Sequence, residues 1–185
     1  VSAVVGLDLS LTSSGLARIT WGLGTTVMET AKKGEAGVTT LADPMDRCEV
    51  LHRLKTAIVD WVHPADLVVV EAMVPNPAST STNERAGLWY LAISALVYRG
   101  ARVVEVHPNT LKLYATGNGR ADKAAMKAAM AEAFPEVLAT SSDERDALWL
   151  AAVGVHLLDG PLPYPVTDYR ADVVAKLRPT NEEAA

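Results

Sequence analysis

The sequence predicts an α/β fold in which a mixed central sheet is covered by helices on both faces. Three strand-like segments stand in a row at the start of the chain, and helix and strand patterns then alternate as far as residue 158. The segments at 3–11 and 67–72 are near-continuous apolar runs, as expected of strands covered on both sides.

AVVGLDLSL (3–11) reads as a buried strand, and SGLARITW (14–21) and TTVMETAKKG (25–34) as two further strands joined by the Gly22-Leu23-Gly24 turn. Met45, Cys48, Leu51, Leu54, Ile58, Trp61 and Val62 recur at helical spacing, and Asp43-Pro44 supplies the N-cap and first helical residue, so 44–62 is predicted helical. LVVVEA (67–72) follows as a strand whose natural place is parallel to the first. Val74 to Thr82 is expected to be a loop. Asn83 to Arg99 is a helix with more apolar circumference than one sheet-facing stripe needs, so its outer face requires a partner. ARVVEVH is a strand, PNTLKLYATGNGR a short helix running into a Gly-rich turn, and ADKAAMKAAMAEAF a helix ended by Pro135. Ser141-Ser142-Asp143-Glu144 has the spacing of a capping box and announces a helix over 142–158. One domain is expected over 1–159, with a partly ordered tail over 160–185.

An apolar content of 49% in 185 residues supports a real core, which excludes a disordered regulator. The uncharged runs Ala86–Tyr98 and Ala147–Leu158 fall short of the ~18 residues a membrane span needs, and a single cysteine excludes an internal disulfide. A cytoplasmic protein without a membrane helix is expected. The net charge of −5 is unevenly spread: residues 72–127 carry 7 Lys/Arg against 3 Asp/Glu, between two acidic flanks. A basic middle suits an anionic ligand held beside carboxylate-bound cations, although solvated faces produce the same unevenness.

Alternation along the first strand puts Val4, Gly6 and Asp8 on one face and Val5, Leu7 and Leu9 on the other, so Asp8 is a carboxylate inside an apolar strand. Glu71 repeats the oddity at the end of Leu67–Val70. If these strands are parallel neighbours, the two acids lie side by side and repel unless a divalent cation sits between them. Asp143 and Asp146, three apart, share one face of the last helix, where first-turn acids also suit the helix dipole. Together the four offer the hard oxygen ligands that a pair of Mg²⁺ or Mn²⁺ ions takes, which is the equipment for phosphodiester hydrolysis without a protein nucleophile. His52, His63, His107 and His156 are scattered and are left out of the site. Lys112 and Lys123 flank the Gly117-Asn118-Gly119 turn, whose backbone can approach a phosphate, and Arg120 adds charge there.

Taken together, VVGLDLSLTSSG, VVVEA, Lys112 with GNGRADK, and SSDERDALWLAAVGVH resemble the RuvC-like Holliday junction resolvases of the RNase H-like superfamily, in order over roughly residues 3–158. The resemblance implies an RNase H-like fold and a metal-dependent endodeoxyribonuclease acting as a homodimer on four-way junctions. It assigns Asp8, Glu71, Asp143 and Asp146 to two metal ions and Lys112 and Lys123 to the scissile phosphate. Arg85, Asn118 and Arg120 join these lysines as candidate DNA contacts. Where these enzymes usually place an aromatic wedge, three residues after the glutamate, this chain has Val74, preceded by Met73. Either could insert between base steps with less stacking area, which predicts a broader range of branched substrates. Tyr164, Tyr169, Arg170, Lys176 and Arg178 of the tail are open to DNA or to a partner subunit. The alternatives are a small ATP- or sugar-phosphate-binding enzyme of the actin and sugar-kinase type, suggested by GLDLSLTSSG, and a module that binds junctions without cutting them.

Overall fold

The computed structural model describes residues 2–64, 66–74, 81–139 and 141–178. Five strands form one sheet: β1 (Ser2–Asp8), β2 (Ser14–Gly22), β3 (Thr25–Lys33), β4 (Leu67–Glu71) and β5 (Arg102–Val106), in the order β3-β2-β1-β4-β5. The first three make an antiparallel meander, and β4 and β5 add in parallel to β1, so the sheet is mixed as the sequence predicts.

Alternate residues of each central strand feed two separate cores. Val5, Leu7, Val68 and Val70 face α1 (Pro44–Val59) and α2 (Thr82–Tyr98), packing on Leu54, Ile58, Leu88 and Leu96. Val4, Ala17, Ile19, Leu67 and Val69 face the opposite layer, which is dominated by α5 (Ser142–Leu157). The same layer holds α3 (Pro108–Thr116), α4 (Lys123–Ala133) and α6 (Asp168–Leu177).

Helix starts follow local chemistry. Asp43 caps α1 with Pro44 at its first position, Asp122 caps α4, and Ser141 with Glu144 closes the full capping box of α5. Several boundaries differ from expectation by one to three residues: β1 stops at Asp8, α1 stops at Val59, and Thr82 belongs to α2. The rest of the expected loop, 75–80, lies outside the described residues.

The described part of the segment after residue 160 carries a helix that joins the core. Val173 and Val174 of α6 are buried in the same core as α5, and Arg170 is 8% exposed. Tyr164 packs edge-on to Phe134. Tyr164 and Arg170 are thus committed to this chain's own interior rather than to DNA or a partner. Among the described residues no helix is long and apolar enough to cross a membrane.

Candidate active site

The site forms where the parallel strands end. The pairing Leu7↔Val70 sets Asp8 of β1 beside Glu71 of β4, and alternation turns both toward the layer that holds α5. Helix α5 comes unusually close to the sheet because two strand residues have no side chain. A Cβ on Gly6 would run into the carbonyl oxygen of Ala147, and one on Gly15 into that of Asp143. Gly15 is the pairing partner of Asp8, so this contact brings the first turn of α5 over the Asp8 strand end.

The motif SSDERD divides into separate roles. Glu144 is buried and structural: its carboxylate accepts from Ser141 N–H at 2.9 Å, and Thr30 donates to its other oxygen at 3.3 Å. Asp143 accepts from the Ser142 hydroxyl at 3.1 Å. Asp146, one turn on, lines a cavity of about 440 Å³ together with Glu71, Lys112, Lys123, Ser142 and Arg145. Arg145 was not singled out by sequence reasoning. The signal was there, since Ser142, Arg145 and Asp146 fall at i, i+3 and i+4 on one helix face.

Three of these acids are raised by burial and by their neighbours. Burial, and then the charges of Glu71, Asp146 and Asp143, push the Asp8 carboxyl well above its ordinary range, with Arg85 opposing. Glu71 is pushed up to about 7 by burial and by Asp146, against Arg85 and Lys112. Asp146 rises to about 6 through burial and Asp143, against Arg145, Lys112 and Lys123. Among the described residues none of these acids forms an ion pair with Lys or Arg. Nor do any three acidic, histidine or cysteine side chains stand close enough together to hold one ion as they are oriented. The carboxylates therefore share one electrostatic field without already being closed into a cage. Their chemistry fits a hard divalent cation: clustered, largely buried oxygen donors without paired cations, whose mutual repulsion such an ion would reverse.

The other candidates sort by position. Lys123 is the first residue of α4, where the helix dipole disfavours a cation, yet it lines the acid cavity. Asn118 is used locally: its side-chain oxygen accepts from Arg120 N–H at 3.0 Å, shaping the turn, while Arg120 itself is exposed. Arg85 acts through space on Asp8 and Glu71 from the first turn of α2. Met73 packs partly buried against the α1/α2 core, which leaves Val74, 40% exposed, as the apolar side chain at the wedge position.

No protein-family model matches the chain. Curated relatives do. The crossover junction endodeoxyribonuclease RuvC of Corynebacterium diphtheriae is 31% identical over 151 residues, covering 80% of this chain and 90% of that protein. The RuvC of Mycobacterium sp. strain KMS is 32% identical over 163 residues, 80% of each. A third, from Zymomonas mobilis, is 30% identical over 110 residues, and there the chain spans 65% of the relative, just under two thirds. Among solved structures, Thermus thermophilus RuvC in complex with a Holliday junction substrate superposes with a TM-score of 0.64 at 18% identity, covering 82% of this chain and 91% of that one. At that identity the likeness establishes the fold.

Proposed function

Because the chain belongs to the RuvC family of crossover junction endodeoxyribonucleases, we propose that it nicks Holliday junctions, and other branched DNA, symmetrically as a homodimer with two Mg²⁺ or Mn²⁺ ions per active site. The observation that carries this reading is the convergence of Asp8, Glu71, Asp143 and Asp146 at the mouth of the parallel strands, where Asp8, Glu71 and Asp146 are destabilised by burial and by the charge of their neighbours. These four side chains are the proposed cation ligands. The chemistry such cations supply there is a water acidic enough to attack a phosphodiester at neutral pH and relief of charge at the departing 3′ oxygen.

The chain's own residues bind and orient the DNA. Lys112 and Lys123, which line the cavity beside Glu71 and Asp146, hold the scissile phosphate, and Arg145 shields the charge on Asp146. The dipole argument supports this use of Lys123, because nothing in the stability of α4 favours a cation at its first residue. Arg85 and the exposed Arg120 extend the contact to neighbouring phosphates, so affinity falls steeply with salt. Val74 offers less stacking area than an aromatic wedge, which relaxes selectivity among forks, flaps and four-way junctions.

A second copy of the chain suits the outer face of α2. Tyr90, Leu91, Val97 and Tyr98 are exposed there, and Tyr90, Leu91 and Tyr98 line a wide groove between α1 and α2. A two-fold dimer also matches the two-fold symmetry of a four-way junction, whose productive resolution needs paired nicks.

The test is a panel of labelled four-way junctions, flaps and plain duplexes, incubated with Mg²⁺ or Mn²⁺ and with Asp146→Asn in parallel. Paired nicks in opposite arms that vanish in the variant support the reading. Equal digestion of plain duplex contradicts the structure selectivity, and junction binding in Ca²⁺ without cutting in Mg²⁺ or Mn²⁺ points to a non-cleaving module.

A further inference from the structure

Arg170 lies on α6, far along the chain from every acid of the site, and its guanidinium is held on several sides. Its Nε donates to the carbonyl of Tyr114 at 3.1 Å and its Nη2 to that of Ala115 at 3.2 Å. Both carbonyls belong to the last turn of α3, where a helix has no partners of its own to offer and carries the negative end of its dipole. The third arm, Nη1, donates to the Pro165 carbonyl at 2.9 Å. The guanidinium lies 4.3 Å from the ring centre of Tyr164 and 5.5 Å from those of Trp149 and Tyr169. Among the described residues no carboxylate pairs with it.

What Arg170 grips matters for the site. Helix α3 has nine residues, too short to be rigid by itself, and it carries Lys112 into the acid cavity. Its N-terminus is fixed to the sheet, since it starts directly after β5 with His107 as its cap and Pro108 at its first position. Its C-terminus is fixed by Arg170. The preceding residue, Tyr169, lays its ring against Gly117, at the start of the turn that leads to Lys123.

We propose that Arg170 is a positioning residue: by clamping the C-terminal carbonyls of α3 it sets the direction of that helix and of the 117–120 turn, and so aims Lys112 at the phosphate bound beside the acids. This rests on the phosphate-facing role proposed for Lys112.

The test uses the full chain carrying Arg170→Lys, Arg170→Gln or Tyr169→Ala. Hydrogen exchange of the metal-free protein should speed up at least tenfold for amides 113–120 in Arg170→Gln, less in the other two, and stay unchanged in α5. That readout is independent of cleavage, so it separates failure of the clamp from failure of the nuclease reading. Single-turnover junction cleavage in Mg²⁺ should fall at least tenfold in Arg170→Gln, with junction affinity in Ca²⁺ within twofold of the parent and partial rescue in Arg170→Lys. In a Lys112→Ala background the same substitution should cost less than twofold. Unchanged exchange at 113–120 in all three variants overturns the proposal. So does an equal loss of cleavage with and without Lys112, or exchange that rises uniformly through α5.

Discussion

The two faces of the sheet are built from alternate residues of the same strands, yet they follow different rules. On the α1/α2 side Val5, Leu7, Val68 and Val70 are fully buried and apolar to the strand ends, and the face serves only to hold the sheet together. On the α5 side the apolar rows Val4, Gly6 and Leu67, Val69 end in Asp8 and Glu71, and the covering helix adds Asp143 and Asp146. There the interior carries charge that burial makes unfavourable, and glycines replace side chains so that a helix can come close. The contrast teaches that stability and chemistry are divided by strand parity, with one residue's step along β1 separating a support from a candidate ligand.

Substitutions at adjacent positions of β1 should therefore separate the two roles. Asp8→Asn is expected to leave the fold intact, raise the metal-free melting temperature by removing a buried repelling charge, and cut junction cleavage by about 10²–10³-fold. Leu7→Ala, its neighbour on the other face, should cost about 3 kcal/mol in denaturant unfolding while the folded fraction keeps its cleavage rate. A Leu7→Ala protein that is stable but inactive would break the division.

The acid face should also betray itself in the pH dependence of stability. Glu71 titrates near 7 in the fold against an ordinary 4.5, so the native state binds its proton more tightly than the unfolded chain. Its favourable contribution is complete below about pH 4.5 and is lost as pH rises through 7, an effect of up to about 3 kcal/mol. Asp146, raised from 3.8 to about 6, acts in the same direction, and because the two share their repulsion the effects do not sum. Metal-free protein should thus unfold more easily at pH 8 than at pH 5.5 by urea titration, and Glu71→Gln should flatten that slope. The smallest expected effect lies on the outer surface of α2. Tyr98→Glu places a charge on the proposed dimer face and should raise the dimer dissociation constant tenfold or more in sedimentation experiments, without altering the monomer fold.

Much of this contrast was legible in the sequence because it rests on local periodicity. The period-two alternation of β1, the Asp43-Pro44 start and the Ser141–Glu144 capping box each write their structure within a few residues. Asp8 and Glu71 stood out because carboxylates are costly in apolar strands, and the parallel pairing of β1 with β4 followed from the helix between them. What escaped depends on distant contacts. The burial of Arg170 depends largely on carbonyls 55 and 56 residues away, so its segment looked like a charged tail. The structural part of Glu144 was legible as the capping box with Ser141, but its further bond from Thr30 of β3 was hidden for the same reason. Met73 looked as available as Val74 because nothing local reveals that it packs on the α1/α2 core.

The central claim is that acids from two strand ends and one helix form a single divalent-cation site. Its most direct measurement is Mn²⁺ binding to the wild-type chain, followed by titration calorimetry and electron paramagnetic resonance in parallel with Asp8→Asn and Asp146→Asn, without DNA. The account predicts Mn²⁺ uptake at neutral pH accompanied by proton release from the raised carboxyls, and marked loss of that uptake in either variant. Binding that is the same in all three proteins, or absent from the wild type at millimolar Mn²⁺, would contradict it.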